Sequence, residues 1–305
     1  MRLLSKKRQM TSPRHLSLFL ILGLFWGISP SLYRHWGVIG MPVSHVIAMT
    51  GFGVGIALAL ICHFRGIDWW VGRRLQLFGL GCAILMNVPF ALGLYFARHV
   101  PPTELALIIS TAPIVNYLVA LVTGRENAAS RRLGAIMLGF VSTAILVVTR
   151  EGMLKGEVSW WLIAAFSLPI LYSAYNWFAA VWWPPKVHAM AAGVAESFWS
   201  GLLALPFLIL FAPPWSGEQL PPWAYWTVLA ACGMWTLERI AFFTLIQEKG
   251  AVFTVQAVYL STPAAVVIAL AFYGGADIWL FVSLAVLMGA LYLNNTGSAA
   301  RQTSS

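Results

Sequence analysis

The feature that most constrains this chain is a succession of ten apolar stretches, each close to the ~20 residues that cover the ~30 Å hydrocarbon core of a bilayer. They run over 16–33, 43–62, 75–97, 103–123, 133–149, 158–181, 189–212, 223–246, 251–273 and 278–295. Seven contain no Lys, Arg, Asp or Glu, and an eighth has only Glu104, near one end. The links between them are short, so no soluble catalytic or nucleic-acid-binding domain fits into the chain. In hydrocarbon every backbone N–H and C=O must be satisfied within the segment, which leaves helices for runs of this length. The expectation is an all-α integral membrane protein with ten transmembrane helices and the lipid bilayer as its solvent. Composition agrees: 60% of residues are hydrophobic, against about 45–50% in soluble domains.

The net charge of +9 reads as topology, with no nucleic-acid partner. With ten spans and a cytoplasmic N-terminus, fourteen basic residues fall on the inner side. They are the five of the N-terminal arm together with Arg65, Arg73, Arg74, Arg125, Arg131, Arg132, Lys186, Lys249 and Arg301. Only Arg34, Arg98, Arg150 and Lys155 fall outside. The positive-inside bias therefore places both termini in the cytoplasm, and the expected location is the cell inner (plasma) membrane. The first apolar run follows a basic arm as a secretory signal would, but no small-x-small cleavage site follows it, so it reads as an uncleaved first span. Cys62, Cys82 and Cys232 all lie in apolar spans and read as buried small hydrophobes.

The chain repeats itself. Ser110-Thr111-Ala112-Pro113 sits mid-span in the fourth stretch and Ser261-Thr262-Pro263 in the ninth, with Gly124 and Gly274 each eleven residues beyond the proline. Gly139 and Gly289 match in the spans that follow, and Ser31-Leu32-Tyr33 is echoed by Ser173-Ala174-Tyr175. The organisation implied is a basic arm (1–15), a five-helix unit (16–149), a second five-helix unit (158–295) and a tail (296–305). Five is odd, so the second unit enters the membrane the other way up. Such inverted-topology repeats are characteristic of secondary transporters that bind substrate near the midplane.

Two five-span units, a mid-helix proline in the fourth span of each, and Gly124-Arg125-Glu126 closing the first resemble the EamA family of the drug/metabolite transporter superfamily. The segment Gly250-Ala251-Val252-Phe253-Thr254-Val255-Gln256-Ala257-Val258-Tyr259, leading to Thr262-Pro263, is similar to the ninth span of many bacterial members. Gly274-Gly275-Ala276-Asp277 departs from the family's glycine-glutamate at the corresponding place. The resemblance covers about residues 16–295 and implies ten helices and metabolite movement, more often efflux than uptake, without naming a substrate.

Charged residues inside hydrocarbon cost about 2.5–3.5 kcal/mol each near the centre and should find partners. Glu196 in the seventh span, and Glu238 and Arg239 in the eighth, lie at matched depth, roughly 12–14 Å from the cytoplasmic ends at 1.5 Å per residue. The expectation is that Arg239 pairs with Glu196 and that Glu238, about 100° round the helix from its neighbour, is left either protonated or facing the cavity. Three roles stay open: a substrate-carboxylate anchor on Arg239, a proton-coupling carboxylate in Glu196 or Glu238, or a structural ion pair. Trp235, four residues before Arg239, is placed to stack on it. Pro113 and Pro263 should each kink a span and free the carbonyl four residues earlier. Gln256 and Tyr259 on the ninth span, and Tyr117 with Asn116 on the fourth, share faces with these prolines and are candidate substrate contacts. Gly51, Gly53, Gly55, Gly79 and Gly81 read as close-packing positions, and Glu104 as reaching the interface. The histidines lack metal-ligand spacing and no GxxxxGK[ST] occurs, so no metal, cofactor or ATP hydrolysis is expected.

The reading is therefore a transporter of a small-molecule substrate, a metabolite or drug-like compound, and not an enzyme, with a homodimer left open. Its alternatives are a non-transporting membrane assembly partner and, further off, an intramembrane enzyme.

Overall fold

The structure, a computed structural model, describes residues 13–70, 72–122, 130–150, 160–211 and 220–299. The first part of the basic arm, Gly124-Arg125-Glu126, Lys155, Trp215 and the tail from residue 300 lie outside them, as do the side chains of Arg131, Arg132 and Arg150.

Every regular element among the described residues is an α-helix. In order they are α1 (Pro13–Val38), α2 (Val43–Phe64), α3 (Gly72–Phe96), α4 (Pro102–Ile109), α5 (Ala112–Val122), α6 (Ser130–Arg150), α7 (Trp160–Ala165), α8 (Ser167–Val181), α9 (Ala189–Phe211), α10 (Pro222–Lys249), α11 (Ala251–Val255), α12 (Val258–Tyr273) and α13 (Ile278–Ala299). Eight segments among the described residues are long and apolar enough to cross a membrane. The fifth and tenth expected spans lie in α6 and α13, whose apolar stretches, Leu133–Ser142 and Ile278–Leu293, are shorter. The chain is thus an all-α protein carrying the helices of a multi-pass membrane protein. Large apolar side chains such as Phe64, Ile209, Leu210, Val267 and Phe272 stand exposed on the outside of the bundle, where lipid would cover them.

Prolines and glycines set the boundaries. α4 and α10 begin on prolines in the first turn, where a missing N–H interrupts no helical hydrogen bond. α10 and α12 stop at Gly250 and Gly274, whose φ values of 82° and 67° are open to glycine at no steric cost. The fourth and ninth spans are not single kinked helices. α4 gives way to α5 at Ser110-Thr111, so Pro113 stands in the first turn of a new helix rather than inside an old one. α11 gives way to α12 at Gln256-Ala257, and Pro263 lies well inside α12. Hydroxyls bond the carbonyls nearby: Ser110 to Ala106, Thr111 to Ile108 (both 2.7 Å), and Thr262 to Val258 (2.7 Å).

Helices meet through small residues. α2 packs along α9, where Gly51 faces the backbone of Gly201. α1 packs along α12, with Gly23 against Leu260 and Gly27 against Ala264. α3 packs on α9 with Gly79 against Ala195, and Gly53 and Gly81 meet Cys232 and Phe178. α6 and α13 are joined by a reciprocal pair: Ser142 Oγ donates to the Ser283 carbonyl (2.8 Å) and Ser283 Oγ to that of Ser142 (2.9 Å). Thr262 Oγ1 donates to Ser110 Oγ (2.7 Å) where α12 crosses the α4–α5 break. Gly139 and Gly289, paired in sequence, differ in space: a Cβ at Gly139 would meet Ile114, whereas Gly289 has open room.

Polar ties close both ends. Arg34 donates to the carbonyls of Ala97 (2.9 Å) and Arg98 (2.7 Å) beyond the end of α3, and Arg98 donates to the Met41 carbonyl (3.1 Å). At the other end Arg14 and His15 hold Glu248 of α10, at 3.3 and 2.7 Å. Glu104 does not reach an interface. It is buried in the first turn of α4, where the helix N-terminus favours a negative charge.

Candidate functional site

Eight helix systems line a central cavity of about 130 Å³. Trp26, Ser29, Pro30 and Tyr33 come from α1; Thr50, Gly51 and Val54 from α2; Tyr172, Tyr175 and Asn176 from α8; Glu196, Ser197 and Ser200 from α9; Trp235, Glu238, Arg239 and Phe242 from α10. α3, the α4–α5 break and α11–α12 complete the wall with Met86, Phe90, Ala106, Ile109, Ser110, Val258 and Ser261 among others.

The three deep charges converge here. Arg239 Nη1 lies 2.9 Å from Glu238 Oε2, and Arg239 Nε lies 3.3 Å from Glu196 Oε2. The guanidinium therefore bridges both carboxylates: Glu238 lines the cavity, and, contrary to the expectation that the two neighbours cannot point the same way, it also pairs with Arg239. Cα–Cβ directions 100° apart do not keep a long, flexible arginine from folding back toward its neighbour when both tips seek the same space away from lipid. The remaining carboxylate oxygens have their own donors. Trp26 Nε1 donates to Glu238 Oε1 (2.8 Å), and the Tyr175 hydroxyl donates to Glu196 Oε1 (3.1 Å). Four helices, α1, α8, α9 and α10, are thus tied by one charged cluster. Glu196 Oε2 is within ion-pair range of Arg239 but makes no hydrogen bond, although its side chain is only 1% exposed.

Trp235 lines the cavity, and its ring packs edge-on against Trp36 (5.7 Å) and Phe90 (5.2 Å). Gln256, Tyr259, Tyr117, Asn116, Pro113 and Pro263 are not among the lining residues. Tyr117 is buried against Ile114, Ile136 and Ala290, and the Tyr259 hydroxyl donates to the Leu291 carbonyl of α13. The fourth and ninth spans do face the cavity, through Ala106, Ile109, Ser110, Val258, Ser261 and Ala265.

Sequence reasoning passed over the hydrogen bonds from Trp26 and Tyr175, and over Tyr33, Tyr172 and Ser200. One signal was present: Tyr33 and Tyr175, the matched ends of the Ser-x-Tyr echo, both line the cavity. Ser200 is held by Asn87 of α3, whose Nδ2 donates to the Ser200 carbonyl (3.1 Å) while the Ser200 hydroxyl donates back to Oδ1.

No family model matches the chain, and no curated protein matches it. A solved crystal structure aligns with 96% of this chain and 99% of its own, at TM-score 0.64 and 17% identity. At that identity the likeness shows a shared fold over the whole chain and nothing of activity.

The cluster makes a direct prediction. Trp26→Phe keeps most of the ring but removes the donor to Glu238 Oε1. A hydrogen bond to a charged group contributes about 1.5–3 kcal/mol, so thermal unfolding of the purified variant is expected to show a loss near the lower figure. Unchanged stability would mean that water or a neighbouring donor replaces the indole.

Proposed function

We propose that the protein is a secondary transporter of a small organic solute, built of ten membrane-spanning helices in two inverted five-helix units and working by alternating access around the central cavity. The observation that carries this reading is the cavity: a buried cluster of three charges, walled by helices from both halves of the chain, inside a bundle whose outer surface is apolar. Intramembrane charges that face a bundle interior mark ion and substrate pathways more often than packing.

Helix neighbours support the two-unit reading. If α1, α2, α3, α4–α5 and α6 correspond to α7–α8, α9, α10, α11–α12 and α13, three counterpart pairs touch directly: α2 with α9, α4 with α12, and α6 with α13. The remaining main contacts come in matched sets. α1 on α12 answers α5 on α8, α3 on α8 answers α1 on α10, and α3 on α9 answers α2 on α10. A pseudo-two-fold axis relating two units would produce this pattern, and two units able to exchange roles supply a route to alternating access. The basic-residue bias adds a plasma-membrane orientation with cytoplasmic termini, and the EamA resemblance adds export as the direction.

Counterflow tests it. Purified protein is reconstituted into liposomes preloaded in turn with amino acids, nucleosides, organic acids and organic cations, and exchange of the labelled solute is followed. Saturable exchange of one class, absent from protein-free liposomes, is the expected result. No exchange of any class by protein that is folded and monodisperse would overturn the reading in favour of a non-transporting membrane partner.

A further inference from the structure

The central cavity carries one more negative than positive formal charge. Among the described residues, Glu196, Glu238 and Arg239 are the only charged ones that line it, and the single guanidinium is shared between both carboxylates. An anionic ligand would add a second uncompensated negative charge and would have to draw Arg239 away from partners it already holds. A monovalent cation completes the balance. The place for it is marked by Glu196 Oε2, which is buried, lies 3.3 Å from Arg239 Nε as its ion-pair partner and makes no hydrogen bond.

The rest of the wall narrows the class. Aromatic residues Tyr33, Tyr172, Trp235 and Phe242 line the same cavity as the carboxylates, and the faces of such rings attract organic ammonium groups that have shed water. A calcium or magnesium ion would need six or more oxygen ligands at short range, more than two carboxylates already shared with Arg239 and scattered hydroxyls present. The volume of about 130 Å³ is near that of an engineered apolar cavity that admits benzene, so the occupant is on the order of six to ten non-hydrogen atoms.

The geometry points to a small organic cation, an ammonium on a compact apolar or aromatic body, as the ligand of this cavity, seated with its N–H groups on Glu196 and its body among the aromatic rings. This deepens the transporter reading and rests on it for the word substrate; the binding site itself does not.

Three probes of nearly one shape separate the possibilities: benzylammonium, benzyl alcohol and benzoate. Binding to purified, detergent-solubilised protein is measured by calorimetry and thermal shift in a sodium-free buffer. The expected result is binding of benzylammonium at least tenfold tighter than of either other probe, with the preference abolished in Glu196→Gln. If that variant does not fold, Glu238→Gln, which also removes the surplus charge, is expected to lose it as well. Benzoate binding as tightly as benzylammonium, no binding of benzylammonium, or stabilisation by sodium alone would each overturn the assignment. Counterflow of labelled benzylammonium keeps the two readings apart. Binding without exchange leaves the cation site standing and sinks the transporter; exchange of benzoate without ammonium binding does the reverse.

Discussion

Arg239→Gln is expected to lower stability by about 3–5 kcal/mol, the range seen when one partner is removed from a buried ion pair. The size follows from what is left behind. Glu196 and Glu238 have side chains 1% and 4% exposed, and without the guanidinium two carboxylates share one small cavity with no positive charge among its lining residues. Their remaining donors, Trp26 and Tyr175, are neutral. The same arithmetic fixes the sign of other substitutions. Glu196→Gln removes the surplus charge and leaves the balanced Arg239–Glu238 pair, so it is expected to be neutral or stabilising. The triple variant Glu196→Gln, Glu238→Gln, Arg239→Gln carries no buried charge and should recover most of what Arg239→Gln loses, since replacing a whole buried ionic cluster is often tolerated where breaking it is not. Tryptophan fluorescence during thermal unfolding, with size-exclusion profiles as a check on monodispersity, orders the four proteins. An Arg239→Gln variant as stable as the parent would mean the carboxylates take up protons or solvent freely and that the cluster ties no helices together.

Much of this was legible from residues alone, and the limits have physical causes. Hydropathy located the apolar segments because a bilayer tests only length and polarity, and it placed Glu196, Glu238 and Arg239 at one depth because helical rise is constant. Hydropathy did not locate the breaks at Ser110-Thr111 and Gln256-Ala257. A proline excludes a bond four residues back, but it does not by itself set where the chain breaks: the first break adjoins Pro113, whereas the second lies at Gln256-Ala257, ahead of Pro263, which stands within a continuous α12. The face-sharing argument that made Tyr117 and Tyr259 candidate substrate contacts does not bring them to the cavity wall, for a related reason. Helical period says which residues share a face, and tertiary packing alone decides whether that face meets a cavity or a neighbouring helix. Tyr259 meets α13 and Tyr117 a core of Ile114, Ile136 and Ala290. Tyr33 and Tyr175, the faintest of the sequence echoes, both face the cavity, from α1 and α8.

Gly51→Val is expected to be nearly as damaging as the loss of Arg239, through packing alone. A Cβ at Gly51 would stand 2.5 Å from the Gly201 nitrogen, 2.8 Å from its Cα and 3.0 Å from the Ser197 carbonyl oxygen. All three are backbone atoms, so no rotamer change relieves the contact and α2 must move away from α9. Overpacking typically costs about 1–3 kcal/mol and occasionally more; with a backbone partner and a β-branched side chain, the upper figure is expected. Separation here also disturbs function, because Gly51 lines the cavity and α9 carries Glu196, Ser197 and Ser200 into it. Gly51→Ala should show the same direction at reduced size. Gly134→Ala is the control: it lies within α6 with nothing inside 4 Å of the added Cβ, and no loss is expected. If Gly51→Val and Gly134→Ala unfold at the same temperature, α2 and α9 do not approach at these residues, and the cavity they help enclose would have to be rebuilt from different walls.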